Sequence, residues 1–184
     1  MNVRFSWFQM ISFHPPSIII SPANAPRRKD TTQNILDTKQ FTVNIISEPF
    51  VENANACAID APEDFNEWPL SGLTREPSTF VKPARVKESA FSMECELLQA
   101  IDVRHPEYDR PDLGDGLTTL IIGVVRYIHA RKDVLNDQEL VDVVKPQPVS
   151  RLGDISFGRV GNLYRLKRYK WEEEKENIKA ALKQ

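Results

Sequence analysis

Cysteine is scarce in this chain, with only Cys57 and Cys95 among 184 residues. Two thiols are too few for a disulfide framework, and neither stands in a metal-ligand spacing with a histidine. Both therefore read as buried, reduced thiols. An excess of one charge is missing too: 24 Lys and Arg face 26 Asp and Glu, for a net charge of -2. Nucleic acid and anionic bilayers are held by a large basic surplus, so neither partner is expected. Long apolar runs are also absent. The stretch from Leu120 to Val125 is far short of the roughly 20 residues that span a bilayer. The N-terminus has Arg4 and no unbroken apolar run after it, so it does not form a secretory signal. These absences point to a soluble, cytoplasmic protein. At 184 residues the chain can bury one good core but not two.

What is present concentrates in the first 34 residues. The stretch Asn2 to Asn34 joins an aromatic and hydroxyl cluster (Phe5, Ser6, Trp7, Phe8), a Pro15-Pro16 break, a short apolar strand and a basic loop that opens a helix. Residues 2–12 alternate in the manner of a strand. The two prolines fix φ and stop any helix, and the β-branched run from Ser17 to Ser21 has the character of a buried central strand. Arg27, Arg28 and Lys29 then precede Asp30-Thr31-Thr32-Gln33. Asp30 as N-cap with Gln33 three residues on approximates a capping box, which predicts a helix to about Lys39. The first turn of a helix offers unpaired N–H groups and positive partial charge, so this one, with its hydroxyls and nearby cations, can cradle a phosphate. A solvated loop ahead of a capped helix explains the same residues without a ligand.

Phe41 to Ile45 predicts a half-buried strand, and Phe50 to Ala58 a short helix. Pro62 to Trp68 reads as a surface excursion and Leu70 to Pro83 as irregular chain. Phe91 to Ile101 is the clearest strand: Phe91, Met93, Cys95 and Leu97 face one way and Ser92, Glu94 and Glu96 the other, so one face is expected to be buried and one wet. On that basis Glu94 and Glu96 are taken as solvated rather than as an acid/base couple. Residues 102–116 form a charged connection, Thr118 to Ala130 a long strand with Gly123 at a bulge or bend, and residues 133–137 a turn. The Ile155-Ser156-Phe157 passage and a last alternating strand at Gly161 to Leu166 follow, before a charged helix from Glu172. Short alternating strands must bury one face and protect their edges, which a small closed or nearly closed antiparallel barrel does.

In register along the chain stand N-V-x-F-S-W-F with I-S-F-H-P-P, K-D-T-x-x-N (Lys29, Asp30, Thr31, Asn34), F-x-V-N-I with S-E, G-L-T with V-K-P-x-R-V-x-E-S, M-E-C-E-L, I-G-V-V and R-L-G. With these passages the sequence resembles the flavin reductase-like family, the FMN-binding split barrels, over nearly all of Asn2 to Tyr169. The resemblance implies a mainly β, antiparallel Greek-key split barrel with short peripheral helices. It assigns residues 1–169 to the barrel and 170–184 to a charged helical tail. It also implies a homodimer with FMN near the interface: Ser6, Trp7, Phe8, Gln9 and Ser12 along the ring, Ser21, Arg28, Lys29 and Thr31 at the ribityl phosphate, and Phe157 near the flavin. The implied activity is hydride transfer from NAD(P)H to flavin, with a flavin-dependent monooxygenase as a possible partner. The cofactor carries this chemistry, so no catalytic side chain and no metal is expected. The family's first strand and hairpin are expected to be missing ahead of Asn2. A carrier that holds FMN without turnover, and a shortened chain that dimerises but binds flavin poorly, are the alternatives.

Overall fold

A computed structural model of the chain describes residues 7–24, 28–59, 61–62, 65–104 and 118–182. Its elements follow the alternation of the sequence: β1 (Phe8–Phe13), β2 (Pro16–Ile20), α1 (Asp30–Thr38), β3 (Gln40–Asn44), α2 (Val51–Ala56), α3 (Glu67–Ser71), β4 (Arg75–Glu76), β5 (Arg85–Val86), β6 (Phe91–Val103), β7 (Thr118–Ala130), β8 (Val149–Gly153), β9 (Ser156–Arg159) and α4 (Trp171–Ala181). The fold is mainly β and every strand pairing is antiparallel.

The main sheet has five strands in the order β1-β2-β7-β6-β3, and two-stranded sheets form from β4-β5 and β8-β9. Its spine is the pair of 13-residue strands β6 and β7. β2 is central as expected, pairing β1 on one side and β7 on the other. The core joins Ile18, Ile35, Phe41, Met93, Cys95 and Ile121, so one helix and four strands contribute to it. Each such aliphatic side chain stabilises the fold by roughly 1.5–3 kcal/mol on burial. A smaller cluster of Phe50, Ala54, Leu73 and Val86 fixes α2 beneath the β4-β5 hairpin.

Gly123 lies where β6 and β7 lose register: Leu97 pairs with Gly123 and Gln99 with Ile122, so the extra residue sits on β6. The glycine has a packing reason as well. A Cβ there would fall 2.4 Å from Phe41 Cζ, so the Phe41 ring occupies the space a side chain would take.

Three expectations are corrected. β6 does not have one wet face over its first half. Ser92 and Glu94 are both 0% exposed, because residues 79–81 fold over the side that strand alternation assigns to solvent. Residues 161–166 form no strand: the chain from 160 to 170 has no regular structure and all of it is exposed, with no neighbouring strand to satisfy its backbone. The excursion at 62–68 is not wholly superficial, since α3 opens on Glu67, which is 6% exposed. Most of the 102–116 connection lies outside the described residues. α4 buries no residue, in keeping with its charged sequence.

Candidate functional site

The hairpin β1-β2 turns at His14-Pro15 and sets the two halves of the candidate site side by side. Phe8 pairs with Ile20 and Gln9 with Ile19. Just beyond the hairpin's open end the Ser21 N–H donates to the Trp7 carbonyl at 3.1 Å. Trp7 has a φ of 61°, in the left-handed region unusual for a large side chain. Trp7, Met10, Ile11 and Phe13 are 58, 61, 49 and 87% exposed. β1 is also an edge of the main sheet, so among the described residues no strand pairs with its outer side. Successive strand residues face opposite ways. Phe8 and Gln9 therefore belong to different faces, and a flat ring could meet both only along the strand edge. Ser12, half-buried, accepts the His14 N–H at 3.2 Å.

From Ser21 the chain runs beside β7, through an Ala23–Thr118 bridge and a Thr119 N–H to Pro22 carbonyl bond of 3.2 Å. It then enters α1. The N-cap is Lys29 rather than Asp30, in extended conformation, and no side chain caps the helix. The capping box read from the sequence does not form, because Asp30 is already the first helical residue. The Lys29 side chain makes no capping hydrogen bond to the first turn, and the start of a helix favours an anion. Thr31 is half-buried in this turn, and Thr32, 0% exposed, points its hydroxyl inward to Asn24 Oδ1 at 3.4 Å. Arg28 donates to Asp102 Oδ2 at 3.1 Å. Of the expected ligand residues the structure joins Trp7 and Ser21 directly, and it places Phe8, Gln9 and Ser12 on β1 and Arg28, Lys29 and Thr31 at the start of α1. Ser6 lies outside the described residues.

Phe157 is placed differently. It belongs to the β8-β9 hairpin, half-buried under the Arg151 guanidinium at 5.1 Å from its ring centroid. The hairpin is tied to residues 46–48 by the Val149 N–H to Ile46 carbonyl bond of 3.1 Å, by a Ser47–Pro148 bridge and by the Arg159–Glu48 ion pair. Those residues follow β3, the opposite edge of the main sheet from β1.

Two features escape a reading by alternation. Glu94 Oε1 accepts the Thr79 N–H at 2.7 Å, and Oε2 accepts those of Phe80 and Val81 at 2.6 and 3.0 Å, while His129 Nε2 lies 2.5 Å from Oε1. Burial pushes this carboxyl's pKa up, yet the Thr79, His129, Phe80 and Val81 bonds outweigh it and hold the pKa at about 2. The signal that could have found Glu94 is the loop itself: residues 77–83 are proline-bounded and irregular, so their N–H groups need an acceptor. The neighbouring Cys95 thiol is pushed up to about 12 by burial and then by the Glu94 charge. The second feature is a pair of buried polar residues, Asn24 and Thr119, linked to Thr32, to the half-buried Asp102 and through it to Arg28.

The described residues hold no cluster of His, Cys, Asp and Glu able to bind a metal ion, and no helix is long and apolar enough to cross a membrane. An antiparallel sheet with an open aromatic edge strand, leading into a helix start suited to an anion, defines a split-barrel class of protein. A solved protein with a split barrel domain from Shewanella frigidimarina shares this fold, at a TM-score of 0.76 over 90% of this chain and 77% of its own, with 19% identity. The family model described as the flavin reductase like domain matches residues 3–145, and the chain belongs to that family. An uncharacterised protein of Aquifex aeolicus is 35% identical over 151 residues, 81% of this chain and 71% of its own. Nitrilotriacetate monooxygenase component B from Bacillus cereus superposes with a TM-score of 0.79 at 28% identity, over 88% of this chain and 77% of its own. The protein is thus a flavin-related oxidoreductase by family, with the antiparallel split-barrel fold.

Proposed function

We propose that the chain binds FMN along β1 and at the start of α1, and that it passes hydride from NAD(P)H to that flavin. The observation that carries this reading is the continuity of the Trp7 to Thr32 segment. The Trp7 carbonyl, just ahead of the exposed edge strand β1, accepts the Ser21 N–H, and further along the same stretch α1 opens with no capping bond from its Lys29 side chain. The residues fit an elongated ligand with an apolar, hydrogen-bonding head and an anionic tail.

Hydride chemistry is supplied by the bound flavin, and the protein supplies binding, orientation and exclusion of water. The open backbone edge of β1 offers N–H and C=O groups to the polar rim of a ring, while Trp7 or Phe8 covers its face. Ser21, Arg28, Lys29 and Thr31 hold the phosphate. No side chain needs to exchange a proton for this reaction, and none is assigned that role.

The exposed apolar edge at β1 also supports a homodimer, because unpaired strand edges with large apolar side chains are otherwise aggregation sites. The likeness to nitrilotriacetate monooxygenase component B supports a role in which reduced flavin serves a monooxygenase partner.

Visible absorbance of the purified protein tests the reading. FMN addition should give bound flavin bands that bleach anaerobically with NADH or NADPH. Bands without bleaching would leave a flavin-holding module, and a protein that takes up no FMN would refute the proposal. Sedimentation at several concentrations checks the dimer, for which a monomer at tens of micromolar would be the contrary result.

A further inference from the structure

Segment 28–32 is not held by its own helix alone. A run of hydrogen bonds leaves α1 at Thr32, crosses the sheet and returns to Arg28 ahead of the same helix. Thr32 Oγ1 donates to Asn24 Oδ1 at 3.4 Å, and Asn24 Nδ2 donates to Thr119 Oγ1 at 2.8 Å. Thr119 Oγ1 then donates to Asp102 Oδ1 at 2.6 Å, and Arg28 Nη2 donates to Asp102 Oδ2 at 3.1 Å. Every donor in the run has a different acceptor, so its direction is consistent throughout, and the amide orientation of Asn24 is fixed by its two neighbours. Thr32, Thr119 and Asn24 are 0, 1 and 3% exposed. Groups so deeply buried are kept in one arrangement because breaking any link strands a polar atom.

We infer that Asp102 is a positioning residue for the phosphate end of the site. The inference rests on the FMN reading above. Asp102 stands near the far end of β6, on a different element from every residue proposed to touch the ligand. Its two oxygens are divided between Arg28 and Thr119. It therefore holds the guanidinium of Arg28, which lies just ahead of α1 in the chain, while Thr119 and Asn24 tie the first turn of α1 at Thr32. A guanidinium carries five N–H groups in a planar fork, so one that is aimed by a carboxylate can still grip a phosphate. Both Asp102 oxygens accept hydrogen bonds, which compensates the negative charge that would otherwise oppose the ligand. Recognition of FMN over riboflavin is then a property of the whole run, not of the basic loop alone.

The test is the ratio of FMN to riboflavin affinity, measured by fluorescence quenching on the full chain at constant ionic strength. Asp102→Asn keeps size and the acceptor for Thr119 but loses the charge that aims Arg28. FMN binding should weaken about tenfold, as for loss of a charge-assisted contact, with riboflavin changed less than about twofold. Thr119→Val, which cuts the run at both of its bonds, should move the ratio the same way by about threefold to tenfold, and Thr119→Ser should restore it. A merely structural role would weaken both flavins alike. Equal losses, or an unchanged ratio in Asp102→Asn and in Thr119→Val, would overturn the inference while leaving flavin binding intact. A wild-type chain that binds both flavins equally would overturn the phosphate reading as well. Should Asp102→Asn fail to fold, the two Thr119 variants decide the matter.

Discussion

β6 carries an acidic side chain in each half whose surroundings are opposite in kind. Glu94 is 0% exposed and fully engaged by three backbone N–H groups and His129, all within the protein. Asp102, eight residues on, keeps 30% of its side chain exposed and pairs with Arg28, ahead of α1. The first carboxylate organises a loop, and the second links Arg28 to Thr119. Burial alone does not separate structure from function here. What separates them is the kind of partner, backbone N–H groups of a covering loop for Glu94 and side chains of other elements for Asp102.

The largest test of this contrast is Glu94→Ala. It strands three backbone donors beneath the 79–81 loop and should destabilise the protein by about 3–5 kcal/mol in urea unfolding. Glu94→Gln, which keeps some acceptor capacity, should cost about 1–3 kcal/mol. Acid sharpens the same point. Glu94 has a folded pKa of about 2, below the ordinary 4.5. Its contribution is therefore fully present above about pH 4.5 and lost as pH falls through the folded value. The acid limb of stability against pH should be shallower in Glu94→Gln, and parallel limbs would contradict the assignment.

Between the two carboxylates, Gly123→Ala would place a methyl against Phe41 and should cost about 1–3 kcal/mol, with Phe41→Leu relieving part of the loss in the double variant. Asp102→Asn should change stability by no more than about 1 kcal/mol, since the pair is partly solvated, while moving the FMN to riboflavin ratio. A large loss of stability there would make Asp102 resemble Glu94. Lys29→Ala should weaken FMN about tenfold and riboflavin little, as expected for one charge-assisted phosphate contact. The smallest effect belongs to α4, where Glu172→Gln breaks an exposed pair with Lys175 and should stay within about 0.5 kcal/mol.

Much of this was legible in the residues. Strict alternation marked β3, β6 and β7, the β-branched run marked β2 as central, and the Lys29-Asp30-Thr31 passage placed the start of α1 to within a residue. The order of these passages pointed to the flavin reductase-like family. Less legible was anything that depends on a distant segment covering a face. Ser92 and Glu94 fall on the alternating side that the pattern calls wet, yet residues 79–81 return to cover Glu94 and Asn44 engages Ser92. Asn24, Asp102 and Thr119 lie far apart along the chain and form no motif. Gly161 to Leu166 alternates like a strand, yet among the described residues no strand pairs with it.

The sequence by itself determined the periodicities, the strand-rich class and the contiguous segment from Trp7 to Thr32, because all of these are set by neighbours within a few residues. The tertiary structure decided which carboxylate is enclosed by a loop and which stays half-exposed beside Arg28. That choice depends on contacts 13 to 15 residues away for Glu94 and 74 for Asp102, and a local pattern carries no record of what will pack against it.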